Sequence, residues 1–244
     1  EHLLFIFIGD GSNGKNVLLD IFKSVGGDYV ETIAPEVIMA ARFDNGADQA
    51  SPSTRKLAGA RAAISSESKE HQSLDVAVVK RHTGGGFMTA RGLHESPVTF
   101  PITHKLLLMT NSEPSVDHMD DATRGRIHMI PFDMKWNRPG TVNPDPRLPN
   151  AQKDLMEVLN NELEGILLWL VQGAVAYQQE ELNPPLEVIA KTQGYLDAQD
   201  SFKQWIDGYE RCSAQDGATA STLYNEYTQL CREEALTTQI KSAA

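Results

Sequence analysis

The sequence predicts an α/β fold: a mainly parallel central sheet with flanking helices, followed by a helical C-terminal region. Three observations carry this prediction. The chain opens on an apolar run, Leu3–Ile8, which breaks into a glycine-rich turn and resumes with Val17, Leu18, Ile21 and Phe22 at helical spacing. Further short apolar runs, Ala60–Ile64, Lys105–Thr110 and Ile127–Phe132, have the length and composition of buried strands. In the rear part, Leu155, Leu159, Leu163, Ile166, Leu167, Leu170 and Ala174 recur with a helical period.

The first turn reads Gly9-Asp10-Gly11-Ser12-Asn13-Gly14-Lys15-Asn16. It matches the phosphate-cradling pattern G-x-x-x-x-G-K-[ST] at every fixed position but the last. The residue types suit that chemistry. Glycines let backbone N–H groups crowd around phosphates, and the start of the following helix adds a partial positive charge. The candidate nucleotide-binding residues are therefore Gly9, Asp10, Gly11, Ser12, Asn13, Gly14, Lys15, Asn16 and Val17. Lys15 would reach the outer phosphates as a point charge. Asn16 stands where a hydroxyl normally holds Mg²⁺; its amide oxygen could take the ion, or the role could pass to water.

Taken in order, the helix after this loop should close at Gly26-Gly27, and Tyr29–Ala34 is a short strand or loop. Residues Ala40–Pro52 are polar and read as a surface connection, and Ser53–Leu57 as a helix. Glu67 falls just beyond the expected strand Ala60–Ile64, at the kind of tip where α/β sheets gather their reactive groups. Two readings stay open there: a carboxylate that activates water or holds Mg²⁺, or a solvated strand end. Ser73–His82 reads as a helix capped by Ser73, and the glycines and Pro97 that follow suggest a hairpin. Lys80, Arg81, Arg91 and His94 cluster around it, as nucleic-acid phosphate contacts or as an ordinary polar surface. Asn111 ends the strand Lys105–Thr110, where an amide can orient water and sense a γ-phosphate. Arg124-Gly125-Arg126 precedes Ile127–Phe132; an arginine there can reach a neighbouring subunit's nucleotide or sit in a surface salt bridge.

Residues Pro139–Pro149 read as a linker, dividing a core of 1–140 from a helical extension, 141–198, packed on it. One long helix is expected from about Ala151 to Tyr177, its apolar stripe in the core, with another from Pro184–Pro185 to about Ala198. Residues 199–244 form a small helical or partly winged-helix-like segment around Phe202, Trp205, Ile206, Tyr209, Leu223, Tyr224, Tyr227 and Leu230.

Composition sets outer bounds. Of 244 residues, 41% are hydrophobic, enough for a sizeable core. No apolar run reaches the roughly 20 residues that span a bilayer. Two distant cysteines, Cys212 and Cys231, without metal spacing suit a reduced, intracellular setting, and the opening inside a strand suggests a piece of a longer protein. The net charge of −11 argues against a basic coat for nucleic acid. Residues 1–140 hold 15 Lys and Arg against 17 Asp and Glu, whereas 141–244 hold 7 against 16, so any nucleic-acid surface is a local patch in the front part.

The order of these pieces resembles superfamily 3 helicases, in particular the phage and plasmid primase–helicase group related to poxvirus-type primase-helicases. The matching stretches are GDGSNGKN, LAGARAAISSE, VVKRHTGGGFMTAR, THKLLLMTNSEP and RGRIHMIPF, with LEGILLWLVQGAVAY and LYNEYTQLC further on. The TGGG…R stretch and TN-x-x-P are fairly specific to the group; the phosphate loop is shared by many NTPases. The resemblance implies an AAA+-like ring ATPase, usually hexameric, that binds ATP and Mg²⁺ and translocates on single-stranded DNA inside the host cell, with any primase region upstream. It implies roles as well: Lys15 binds the nucleotide, Glu67 is the Walker B acid, Lys80 and Arg91 belong to the channel hairpin, Asn111 is the sensor, and Arg126 is the arginine finger with Arg124 second. Asn16 and Gly125 depart from the pattern, where Ser/Thr and a second arginine are usual. Two other readings stand beside this one: a nucleotide-binding scaffold or loader that hardly hydrolyses, and a small-substrate P-loop kinase, which the hairpin cluster and the lack of a lid disfavour.

Overall fold

The computed structural model describes residues 1–40, 52–66, 72–116, 119–209 and 217–233. The front part holds strands β1 (Leu4–Ile8), β2 (Val30–Ile33), β3 (Ala62–Ser66), β4 (Phe87–Ala90), β5 (Val98–Pro101), β6 (Lys105–Thr110) and β7 (Ile127–Pro131). Between them lie helices α1 (Lys15–Gly26), α2 (Pro52–Arg55), α3 (Val76–Thr83) and α4 (Asp121–Arg124). Helices α5 (Leu155–Asn160), α6 (Leu163–Glu180), α7 (Leu186–Ala198), α8 (Ser201–Ile206) and α9 (Ala220–Glu233) follow. The described part of 199–244 holds helices and no strand.

Five strands form one sheet in the order β2-β3-β6-β1-β7, and every pairing in it is parallel. β1 lies between β6 and β7, with Leu4 level with Leu106 and Ile127, and Ile8 level with Thr110 and Pro131. Parallel pairing puts the C-terminal ends of all five strands on one edge, so Gly9, Asn111 and Phe132 emerge side by side. The apolar runs are continuous because both faces of these strands are covered. Leu4, Ile6, Leu106, Leu108 and Met129 are fully buried, Ile127 is nearly so, and all six belong to the main core cluster.

The expected elements hold with small shifts. The third strand lies two residues later than the apolar run suggested, and the cap of α3 is Asp75, whose carboxylate accepts from the Val78 N–H at 2.9 Å, rather than Ser73. The predicted hairpin exists as antiparallel β4–β5. The expected surface connection over 41–51 lies outside the described residues.

One expectation fails in the rear part. The single helix expected over 151–177 is two, broken at Asn161-Glu162. Of its stripe, Leu155, Leu159, Leu163, Ile166 and Leu170 are half-buried, while Leu167 and Ala174 are exposed. α6 packs on α1 through one narrow face, and Leu167, Leu168, Trp169, Val171 and Val175 are exposed. The stripe positions Leu163, Ile166 and Leu170 are thus the partly covered side of α6, and the apolar residues beside them face outward. The segment read as a linker is wound about Asn137, which is 8% exposed. Its Nδ2 donates to Asp145 O, Leu148 O and Asn150 Oδ1, and its Oδ1 accepts from Asp145 N.

α7 lies along the edge strand β7. Thr192 Oγ1 accepts the outward Met129 N–H at 2.9 Å, which covers part of a sheet edge otherwise open to pairing. The same helix clips the loop after β6: Lys191 bonds Glu113, the buried Tyr195 hydroxyl donates to Pro114 O at 2.8 Å, and Gln199 accepts from Val116 N.

Candidate nucleotide site

The glycine-rich loop spans from the tip of β1 to the first turn of α1. Gly14 sits at the helix N-cap with φ 87°, a left-handed backbone that glycine adopts without strain. Gly9 is fixed by space: a Cβ there would lie 2.4 Å from Phe132 O. Asn13 is buried; its Nδ2 donates to Phe132 O at 3.1 Å and its Oδ1 accepts from Lys15 N at 3.4 Å. The loop is thereby tied to the end of β7.

Lys15 is 4% exposed and points across the strand tips. Its Nζ donates to Gly9 O and to Asn111 Oδ1, the latter at 3.1 Å. Asn111 is presented by a tight turn in which Thr110 Oγ1 donates to Ser112 O and accepts from Ser112 N. Two residues 96 positions apart thus meet because β1 and β6 are neighbours. Burial pushes the Lys15 ammonium below its ordinary pKa, while the charge of Asp10 opposes the shift. A partly desolvated ammonium held only by neutral oxygens favours an incoming anion.

Beside it a cavity of about 290 Å³ opens, lined by Gly9, Asp10, Asn111, Glu113, Phe132 and Lys135 among others. Ligands of α/β sheets bind at such strand tips, where the connections part. Lys135 pairs with Asp10 at 2.7 Å and holds its carboxyl below the usual range. Arg138 Nε donates to Ser12 Oγ at 2.6 Å. Sequence reasoning missed both cations. The one available signal was the Lys135-Trp136-Asn137-Arg138 run just past a strand end.

Asn16, exposed on the first turn of α1, carries an oxygen of the kind Mg²⁺ takes. That ion typically needs one or two protein oxygens besides its waters and the substrate's phosphates, so the residues present fit it. Glu67, the expected acid, lies outside the described residues; β3 ends at Ser66 on the same edge as Gly9.

The remaining candidates do not converge on Lys15. Arg126 precedes β7 and lies at the opposite edge of the sheet, its Nη1 donating to Ala122 O at 2.7 Å. Its Nε is buried with no partner among the described residues. Arg124 is ion-paired with Asp200 at the start of α8. Lys80 pairs with Asp120 at 2.5 Å and holds that carboxyl well below the usual carboxylate range. Arg81 is exposed on α3. Arg91 and His94 are exposed on the turn that closes the β4–β5 hairpin, where His94 adopts φ 59°. The hairpin is joined at its base by Ile102 N to Gly86 O and leads into the start of β6, the edge away from the phosphate loop.

Comparison with known proteins gives the following likenesses. No protein-family model matches the chain. It is 27% identical over 216 residues to "Putative helicase L207/L206" of Acanthamoeba polyphaga mimivirus, covering 86% of this chain and 22% of that protein. It is 25% identical over 235 residues to "Putative helicase 022R" of Frog virus 3, covering 93% and 24%. It is 23% identical over 241 residues to "Putative primase C962R" of African swine fever virus, covering 92% and 24%. The chain therefore spans about a quarter of the length of these relatives. Among solved structures, the apo C-terminal region of NrS-1 superposes with a TM-score of 0.54 at 15% identity, over 84% of this chain and 45% of that one, a likeness of fold. The chain resembles the superfamily 3-like primase–helicase group.

Proposed function

We propose that this chain is the ATP-hydrolysing motor segment of a DNA replication helicase. The observation that carries the proposal is the meeting of Lys15 and Asn111 over Gly9 at the strand tips, bordered by an open cavity. In this reading the loop N–H groups and Lys15 hold the β- and γ-phosphates of ATP. A nucleotide displaces Asn111 from Lys15, leaving the amide to orient the attacking water. Glu67 accepts that water's proton as its oxygen bonds the γ-phosphorus and the bond to the β-phosphate oxygen breaks, giving ADP and phosphate. Mg²⁺, held with help from Asn16, would neutralise charge on the outer phosphates.

Arg126 cannot reach its own chain's nucleotide from the far edge of the sheet, so the reading assigns it to a neighbouring copy in a ring, hexameric in the full-length protein. Arg91 and His94 on the hairpin turn would meet the phosphates of single-stranded DNA, with Arg81 nearby. Relatives named as helicase and primase, each about four times as long as the aligned segment, support a replication setting with a primase or polymerase region in the same polypeptide. A second reading, an oligomeric scaffold or loader that binds ATP and turns it over slowly, is favoured by Asn16 in place of the usual hydroxyl.

ATP turnover with Mg²⁺ and single-stranded DNA separates the two. The motor reading expects hydrolysis that DNA stimulates and that rises more than proportionally with protein concentration as copies assemble. Tight ATP binding with negligible turnover at any DNA concentration would favour the scaffold.

A further inference from the structure

We infer that Arg138 is a second phosphate-binding cation of the nucleotide site, delivered within the same chain by a strap laid across the phosphate loop. The inference rests on the reading above that this loop takes a triphosphate. After β7 the chain does not turn away. Phe132 N donates to Ile8 O at 2.7 Å, Phe132 O accepts from Asn13, and Trp136 N donates to Ser12 O at 3.0 Å. Arg138 then reaches Ser12 Oγ through Nε, and a Cβ on Gly11 would lie 3.6 Å from its Nη2. The guanidinium therefore stands over Gly11 and Ser12, the middle of the loop, where such loops cradle outer phosphates.

Its position is built, not incidental. Asn137, the preceding residue, is buried, and its side chain bonds 145, 148 and 150, while its backbone N–H reaches Pro149 O and its carbonyl accepts from Ala151 N. That anchor fixes where the next residue leaves the surface. Because Arg138 uses only Nε on Ser12, both terminal nitrogens lack a protein acceptor among the described residues. No carboxylate pairs with it among the described residues, whereas Lys135 beside it is paired with Asp10. A guanidinium with two free N–H₂ arms and no counter-ion, aimed at a phosphate loop, can bring its charge and a donor to a phosphate oxygen. On ATP binding the Ser12 hydrogen bond gives way to, or is shared with, an outer phosphate oxygen.

A mere tether to Ser12 needs a hydrogen-bond donor; a phosphate contact needs the charge. The test is ATP affinity with Mg²⁺, by calorimetry, for the parent chain, Arg138→Gln, Arg138→Lys and Lys15→Ala. We expect Arg138→Gln to weaken ATP binding about tenfold, the scale of one charge-assisted hydrogen bond. Arg138→Lys should recover most of that loss, and both variants should melt with the parent. Arg138→Gln that binds ATP within about twofold of the parent, or Arg138→Lys as weak as Arg138→Gln, overturns the proposal. In either case Lys15→Ala that still loses binding keeps the loop reading intact. A parent chain that binds no ATP overturns that reading, and this inference with it.

Discussion

His82 and His104 form a buried pair whose job is structural, and it leaves a pH signature. Nδ1 of His82 lies 3.3 Å from Nε2 of His104, and the rings are 2% and 3% exposed. Burial holds both at about 4, helped by the mutual charge and Arg81 for His82, and by Lys105 for His104. The folded chain therefore refuses protons that the unfolded chain accepts between the ordinary histidine value of about 6.5 and about 4. Stability should fall as the pH drops through that window, on the order of 3 kcal/mol for one such group. Asp120, whose carboxyl is lowered by Lys80, is lost only further down, so the two effects separate. Denaturant midpoints that stay flat from about pH 7 to about pH 4.5 would contradict this account. Legibility at this scale follows chain direction. Lys15 and Asn111 could be expected to meet because each ends or follows an apolar strand, and such strands share a tip. Lys135 and Arg138 could not, because their contacts with Asp10 and Ser12 depend on the path taken after β7.

Among elements, the sheet was the most readable part of the sequence and α6 the least. Four short apolar runs bounded by Gly, Asn and Pro leave little choice but buried strands, and they form one parallel sheet with β2, a stretch the sequence left open as strand or loop. Order within the sheet was not readable, since nothing local says that β1 lies between β6 and β7. For α6, Leu163–Glu180, the period marks the half-buried side at Leu163, Ile166 and Leu170, but the stretch Gly165–Gln179 carries no charge, so nothing local says that its other apolar side is left uncovered. The structure leaves Leu168 57% and Trp169 64% exposed. Replacing either by Lys should change the stability of this chain by no more than about 0.5 kcal/mol, as at an ordinary surface site. A loss of about 3 kcal/mol, the cost of disrupting a packed core, would show that the face is covered within the chain after all. The clip that α7 makes on residues 113–116 could not be foreseen either, because Lys191, Tyr195 and Gln199 read as one turn after another of an ordinary helix.

Across the whole molecule, the parts divide by edge. The strand tips carry the glycine-rich loop, Lys15, Asn111 and the strap; the opposite edge carries Arg126 and the base of the β4–β5 hairpin. Such a layout suits a chain that holds ATP at one end and offers an arginine and the Arg91 hairpin to others from the far end, as the proposed motor requires. The acidic excess of residues 141–244 makes the helical region unattractive to nucleic acid, so in the proposed motor DNA contacts belong to the front part. The central claim is that residues 9–16 grip a triphosphate through Lys15. Calorimetric titration of ATP and Mg²⁺ into the parent chain and into Lys15→Ala tests it most directly. Saturable one-site binding to the parent is expected, with a loss of about tenfold or more in Lys15→Ala, the scale of a buried charge-assisted contact. Equal affinity in the two chains, or no heat of binding to the parent, would contradict it.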